Sequence, residues 1–316
     1  MKPVWVIVNP RAAGGRGADV MPELEEMLNR YEIDFSIHET VAPGHAEELA
    51  RVARAVASRI LVVGGDGTIH EVANGLLADP EPAVVGLRLP PLAVLPVGTG
   101  NDFFRMVRSS RGILEAVRAL GEGVPRSFEV GEARWEGGQR HFVNLVGVGI
   151  DVEVLRRRST FARLPGLLQY LAALGASLAR YRPIPLRVTV SCGNQEPRVL
   201  EAPVLLSAVT VGPSVGGGFV LSPRAVPDDG RLDLFHVRKI GLLKVLQYLP
   251  GILRGAGLKR PEISQLQGTR VHMRRMDDRA LAFELDGELM EISTSFLEIC
   301  VRPESLEILE LLEESG

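Results

Sequence analysis

At 316 residues and 34.3 kDa the chain is long enough for two domains of ordinary size, each with its own core. A hydrophobic content of 46% with a formal net charge of -3 describes a soluble globular protein and argues against nucleic-acid binding, which calls for a basic excess. Cys192 and Cys300 stand far apart in apolar contexts and read as buried reduced thiols, no run approaches the ~18 apolar residues of a membrane span, and the apolar run at the start is too short for a signal peptide. A cytoplasmic protein is expected.

In chain order, Val4 to Val8 reads as a strand that runs into the loop Asn9-Pro10-Arg11-Ala12-Ala13-Gly14-Gly15-Arg16-Gly17. Pro22 to Arg30 carries Leu24, Met27 and Leu28 at helical spacing, Asp34 to Glu39 reads as a strand, and Thr40 to His45 is a loop before a helix over Ala46 to Ala57. The apolar run Ile60 to Val63 then meets Gly64-Gly65-Asp66-Gly67-Thr68, and a helical pattern continues to Leu77. Glycines let a backbone approach a ligand closely, and the amides that open a helix have no partners of their own, so an anion fits at Thr68. Asp66 in that turn suits a cation such as Mg²⁺ accompanying the anion; the alternative is an ordinary β-α turn with Asp66 as a cap. Glu71 and Asn74, on one face of the helix, either meet solvent or turn toward this loop. Leu92 to Leu95 is a further strand, and it ends in Pro96-Val97-Gly98-Thr99-Gly100-Asn101-Asp102-Phe103.

Three strands that each end in a small-residue, donor-rich loop place those loops along one carboxyl edge of a parallel sheet, where open α/β sheets bind ligands. A polyphosphate nucleotide is the natural guess. The four lysines, Lys2, Lys239, Lys244 and Lys259, follow no glycine-rich loop, so a phosphate-binding lysine of the P-loop kind is absent.

Arg111 to Leu120 reads as a helix stopped by Gly121, and near Arg126 the texture changes to short strands: Glu132 to Trp135, Arg140 to Val146, Leu186 to Cys192, Arg231 to Arg238, Thr269 to Met276, Leu281 to Leu285 and Leu289 to Ser293. A second, mostly β domain follows. Leu164 to Arg180 and Gly241 to Leu258 interrupt the strands as leucine-rich segments with basic flanks, suited either to an anionic membrane surface or to covering an open sheet face. Pro303 to Glu314, with Leu306, Ile308, Leu309, Leu311 and Leu312, reads as an amphipathic helix. Asp286-Gly287 between two strand-like runs is a favoured two-residue hairpin turn, and Pro223 to Asp233 is an acidic surface turn.

Taken together, Asn9-Pro10, Thr40 with Gly44-His45-Ala46, Gly64 to Thr68 with Glu71 and Asn74-Gly75, Pro96 to Phe103, Pro223 to Asp233 and Asp286-Gly287-Glu288 resemble the diacylglycerol kinase catalytic-domain family, which includes sphingosine and ceramide kinases. The resemblance implies an α/β nucleotide-binding domain of three layers, like that of NAD kinases and phosphofructokinases, over residues 1–126. A β-sandwich-like lipid-substrate domain would span 127–299, with a terminal helix over 300–316 packing back on the first domain and ATP between the two. It implies an ATP-dependent lipid kinase acting on diacylglycerol at the membrane surface, cytoplasmic and peripheral at the inner membrane face. ATP would be held by Asn9, Thr40, Gly64, Gly65, Asp66, Gly67, Thr68, Ile69, His70 and Thr99. Glu288 would be the general base for the lipid hydroxyl, with Asp286 near the metal and Asp66 in the catalytic set. A structural Mg²⁺ would take the Asp229 carboxylate and the carbonyls of Val226 and Arg231. Related bacterial sequences carry lysine at the Val226 position and glycine at that of Ala13.

Rival readings are a kinase of another alcohol (phosphatidylglycerol, a sphingoid base, a polyprenol or NAD), and a non-catalytic, nucleotide-responsive protein of the membrane surface. A dinucleotide-binding oxidoreductase fails because Gly147-Val148-Gly149-Ile150-Asp151-Val152 lacks the third glycine of the fingerprint.

Overall fold

A computed structural model of the chain describes residues 2–78, 88–107, 112–161, 163–164, 166–256 and 259–311. The chain forms two compact units, Met1–Glu129 with Glu304–Gly316, and Val130–Pro303.

The first unit alternates strand and helix: β1 (Val4–Val8), α1 (Arg16–Asp19), α2 (Met21–Arg30), β2 (Phe35–Glu39), α3 (His45–Val56), β3 (Arg59–Gly64), α4 (Asp66–Leu77), β4 (Leu92–Pro96) and α5 (Ile113–Glu122). The strands pair in parallel in the order β2, β1, β3, β4, in register Val4 with Phe35 and Arg59, and Ile60 with Leu92. Period-two burial divides the side chains between the faces. Val4, Val6, Val8, Leu61, Val63, Ala93 and Leu95 pack under α2 and α5 with Leu24, Leu28, Val117 and Leu120. On the other face α3 and α4 pack against each other and on β1 and β3. Their approach is close enough that a Cβ on Gly75 would lie 2.2 Å from the Glu47 carbonyl oxygen.

The chain passes between the units within β5 (Val124–Trp135) and the last strand, β17 (Phe296–Glu310). β17 corrects the expected terminal helix. Ile308 pairs in parallel with Leu92 of β4, extending the first unit's sheet by a strand. The apolar positions fit both periods, and the sheet edge beside β4 decides between them because it satisfies the backbone groups of the segment. Residues 312–316 of that expectation lie outside the described residues. α5 also runs past Gly121 to Glu122, with Gly123 as its cap.

The second unit contains β6 (Gly138–Phe142), β7 (Leu145–Gly149), α6 (Ile150–Arg158), α7 (Gly166–Leu178), β8 (Ile184–Ser191), β9 (Arg198–Thr210), β10 (Ser214–Val215), β11 (Phe219–Val220), β12 (Leu232–Arg238), α8 (Leu242–Leu253), β13 (Ile263–Gly268), β14 (Arg270–Arg275), β15 (Phe283–Leu285) and β16 (Glu288–Met290). Its sheet runs β16, β15, β7, β9, β8, β14, β17, with β12 and β13 branching from β9. Long β9 joins the two parts: its first half pairs with β8, its second with β7 and β12. Alternation again sorts the side chains. Val146, Val148, Val188, Val209, Met273, Phe283 and Ile299 share one core, while Leu145, Leu205, Ala208, Phe235 and Val237 face a second core closed by residues of α6, α7 and α8.

The fold class expected from sequence, an α/β domain followed by a mostly β, sandwich-like one, is the fold found. The leucine-rich helices α7 and α8 cover a sheet face. α8 also leaves Leu242, Leu243 and Leu246 exposed, at 50%, 82% and 54%.

Candidate active site

In the first unit the loops after β1, β2, β3 and β4 leave the same carboxyl edge of the sheet, because all four strands are parallel. Backbone bonds hold their roots together: the Thr40 amide donates to the Val8 carbonyl at 2.8 Å, Asn9 to Val63 at 2.9 Å, and Val97 to Gly64 at 2.9 Å. Asn9 Nδ2 donates to Thr68 Oγ1 at 3.3 Å. The sheet thus gathers Asn9, Thr40, Gly64 to Thr68 and the exposed Thr99 at one edge.

Two glycines let the middle loops touch. A Cβ on Gly98 would sit 2.5 Å from the Gly65 Cα, and one on Gly65 would sit 2.9 Å from the Gly98 Cα, so neither position admits a side chain. Beyond that contact Asp66 opens α4, where a carboxylate is favoured by the helix dipole, and its Oδ1 accepts the Phe103 amide at 2.9 Å. The amides of Gly67 and Thr68, in the first turn, have no intrahelical acceptor. Asn101 donates its Nδ2 to the Gly98 carbonyl at 2.9 Å, while its buried Oδ1 has no partner among the described residues. Amides, hydroxyls and one helix terminus form a donor set that fits a polyphosphate, and the half-buried Asp66 supplies the anionic oxygen a hard cation requires.

Ile69 and His70 lie deeper than expected of ligand contacts. Their side chains are 1% and 0% exposed, and the Ile69 amide already donates to the Gly65 carbonyl. His70 packs beside Asn74, whose Nδ2 donates to the His70 carbonyl at 2.9 Å. Glu71 leaves its own turn for the end of the loop after β2: its carboxylate accepts the Gly44 amide at 2.9 Å and the Ala46 amide at 3.0 Å, capping α3 from a neighbouring helix. In the first loop Ala13, at the position where the resemblance expects glycine, holds a left-handed backbone at φ 48°.

In the second unit Asp286-Gly287 forms the expected turn between β15 and β16, with φ of 48° and 87° and Leu285 paired to Glu288. Positive φ at both central residues is the hairpin geometry that Asp-Gly favours. The Asp286 carboxylate accepts three amides, from Val143 at 2.7 Å and from Asn144 and Leu145 at 2.8 Å each. Both oxygens accept main-chain amides, so Asp286 anchors the hairpin to the start of β7. Glu288 follows the turn with an exposed side chain.

The turn before β12 brings the Asp229 carboxylate onto the Arg231 amide at 2.9 Å, a local turn bond. Carboxylate and neighbouring carbonyls are the right ligand type for a hard cation, although the carboxylate oxygen seen here already accepts a hydrogen bond. This turn belongs to the same sheet end as the hairpin, since Leu145, Thr210 and Asp233 are successive cross-strand partners. Burial raises the Asp233 carboxyl to about 6, with Asp229 adding to the rise and Gln267 opposing it.

Under the hairpin lies a feature that motif reading missed. Glu284 is buried opposite Gly147, and a Cβ on Gly147 would come within 2.6 Å of Asp151 Oδ2 and 2.7 Å of Glu284 Oε1. Tyr170 donates its hydroxyl to Asp151 Oδ1 at 2.6 Å, and Glu284 Oε2 accepts the Gly287 amide at 2.8 Å. Burial first, and the neighbouring Asp151 second, push the Glu284 carboxyl and the Tyr170 hydroxyl well above their usual ranges. Asp151 and Tyr170 also form part of the wall of a largely apolar cavity of about 80 Å³, lined among others by Leu174, Leu205, Phe235, Val245 and Leu249. The one sequence signal was the pair of glycines ahead of Asp151, weighed only as a nucleotide fingerprint.

The chain matches the family model described as the diacylglycerol kinase catalytic domain over residues 3–133. Residues 144–310 match that of the YegS C-terminal NAD kinase beta sandwich-like domain. It is 30% identical to a diacylglycerol kinase of Bacillus subtilis (strain 168) over 91% of this chain and 90% of that protein. A diacylglycerol kinase of Staphylococcus carnosus (strain TM300) is 26% identical over 90% of this chain and 87% of its own. A crystal structure from Bacillus anthracis str. Sterne superposes with a TM-score of 0.75 at 25% identity, covering 98% of each chain.

Proposed function

The chain belongs to the diacylglycerol kinase catalytic-domain family, and from that premise we propose that it transfers the γ-phosphate of ATP to a lipid hydroxyl, with diacylglycerol as first acceptor and phosphatidic acid as product. The observation that supports the reading most is the Asp-Gly-Glu hairpin, in which a carboxylate anchored by three amides presents an exposed glutamate two residues later.

Asn9, Thr40, Gly67, Thr68 and Thr99 would hold the phosphates through amides, hydroxyls and the Asn9 side-chain amide, and Asp66 would hold Mg²⁺. Bound there, ATP supplies the phosphoryl group and Mg²⁺ neutralises charge on its oxygens. The protein's own work is positioning and proton handling. Glu288 accepts the proton of the lipid hydroxyl as that oxygen attacks, and the rigid hairpin keeps the carboxylate from swinging away. A structural Mg²⁺ at Asp229, with the carbonyls of Val226 and Arg231, would stiffen the turn before β12.

No helix among the described residues is long and apolar enough to cross a membrane, and the enzyme acts from the cytoplasmic surface. The exposed leucines of α8 would meet the bilayer that carries the substrate.

The test is transfer of labelled phosphate from ATP to a panel of lipids in mixed micelles, with Mg²⁺ present or chelated. Labelled phosphatidic acid from the wild type, absent with chelator and from Glu288→Ala, is the expected result. Label in another alcohol would move the acceptor to phosphatidylglycerol, a sphingoid base or a polyprenol. NAD-dependent consumption of ATP would favour an NAD kinase, and ATP binding with no labelled product the non-catalytic reading.

A further inference from the structure

Glu284 is the link between the cavity wall and the hairpin. It is 2% exposed and its Oε2 takes the amide of Gly287, the residue that precedes Glu288. Its other oxygen lies with Asp151 beside Gly147, whose missing side chain makes room for both carboxyl groups. Asp151 in turn receives the Tyr170 hydroxyl at 2.6 Å. Burial, with the neighbouring Asp151, favours the neutral form of Glu284, so Glu284 donates to Asp151 while the Gly287 amide donates to Glu284. The chain Tyr170, Asp151, Glu284, Gly287 is then a continuous hydrogen-bonded line from α7 to the turn. Asp286 fixes the turn from the other side through the amides of residues 143 to 145. Asp286 alone holds one corner of a two-residue loop, and the second attachment at Gly287 removes its remaining freedom to pivot.

We propose that Glu284 is a positioning residue: through the Gly287 amide it sets the direction in which Glu288 leaves the hairpin, and Tyr170 and Asp151 hold Glu284 in place. This rests on the reading of Glu288 as the general base. A neutral hydrogen-bonding group is what the position requires, so Glu284→Gln, which keeps an acceptor for Gly287 and a donor for Asp151, retains turnover. Glu284→Leu has similar bulk and neither group. Glu284→Asp keeps the acid near Asp151 but is too short to reach the Gly287 amide.

The experiment measures kcat, the KM for ATP and the thermal midpoint of wild type, Glu284→Gln, Glu284→Leu, Glu284→Asp, Tyr170→Phe and Glu288→Ala on the same micellar lipid. The expected pattern is kcat within about twofold of wild type for Glu284→Gln. It is a loss of about 10- to 100-fold for Glu284→Leu and Glu284→Asp, the range a displacement near 1 Å produces. Tyr170→Phe should lose about threefold, and the KM for ATP should stay unchanged throughout. If Glu284→Leu fails to fold, Glu284→Asp carries the comparison. Wild-type kcat in a folded Glu284→Asp, or a loss in Glu284→Gln equal to that in Glu284→Leu, overturns the proposal. Full turnover in Glu288→Ala overturns the underlying assignment of the base instead, so the two failures are told apart.

Discussion

Asp66 Oδ1 accepts the amide of Phe103 at 2.9 Å, so the residue that opens α4 also fixes the loop after β4. Its structural and chemical contributions separate by substitution. Asp66→Asn keeps an acceptor for Phe103 and is predicted to hold the thermal midpoint while kcat falls at least about 100-fold through lost charge stabilisation. Asp66→Ala should lose activity and also about 1–2 kcal/mol of stability, the cost of an orphaned amide. Equal stability of the two variants in denaturant titrations would contradict the structural half.

Gly98→Ala tests the contact between the loops. The added methyl would meet the Gly65 Cα at 2.5 Å and Asn101 Oδ1 at 2.6 Å. We predict a raised KM for ATP and a loss of about 1–3 kcal/mol from overpacking. An unchanged KM for ATP would mean that the loops part without affecting the nucleotide.

Ala13 carries the opposite expectation. At φ 48° a left-handed alanine costs roughly 1–2 kcal/mol relative to its usual backbone, part of which glycine returns in the flexibility of the unfolded chain. Ala13→Gly should therefore raise stability by up to about 1 kcal/mol with activity retained, read as a shift in denaturant midpoint.

Membrane contact predicts a split between substrates. Leu243 on α8 is 82% exposed, so a polar side chain there buries little. Leu243→Glu is expected to reduce turnover of long-chain lipid in anionic vesicles by about tenfold, while turnover of a dispersed short-chain analogue stays at the wild-type level. Equal loss on both would place the effect in the fold.

His236 gives the stability a defined pH dependence. It is 1% exposed, with Nδ1 near Ser207 Oγ at 3.3 Å, and burial, aided by Arg238, lowers it to about 4. The native state resists the proton that the unfolded chain accepts near the ordinary histidine value of about 6.5. Its contribution is full above that value and is lost as pH falls from about 6.5 to about 4, on the order of 2–3 kcal/mol. Glu284 and Asp233, both raised, act in the reverse sense: their contribution is present below the ordinary carboxylate range and is lost as pH rises through their folded values. The histidine part is isolated by comparing wild type with His236→Asn between pH 7 and pH 4. The difference in stability between them should change across that window, with the wild type losing more.

What the sequence reveals of this molecule follows the range of the forces involved. The alternation of β1 to β4 with their helices is written in local periodicity, and so is the Asp-Gly turn, because two residues with positive φ have few other solutions. β17 escaped because Leu306, Ile308 and Leu309 suit either a helix or a strand and only the distant β4 decides. β9 and β13 escaped for a related reason: Arg198 to Glu201 and Ser264 to Gln267 carry polar residues on a solvated face, which dilutes the alternation. In the candidate site the glycine loops were legible as motifs, whereas the capping role of Glu71 depends on Gly44 and Ala46, some 25 positions away. Glu284 and Asp151 meet only when β15 lies against β7, so neither position announced itself.

The anchoring of the hairpin bears on how the protein ages. In an Asp-Gly pair the glycine nitrogen can attack the aspartate side-chain carbonyl carbon, closing a succinimide that reopens largely as isoaspartate. Here the nucleophile and its target are held by different partners: the Gly287 amide points to Glu284 Oε2, and the Asp286 oxygens point to Val143, Asn144 and Leu145. The folded chain shields this bond, and each excursion to the unfolded state exposes it to irreversible change. Stored or heat-cycled enzyme would then lose turnover by a covalent lesion at the foot of Glu288, with the rest of the fold intact.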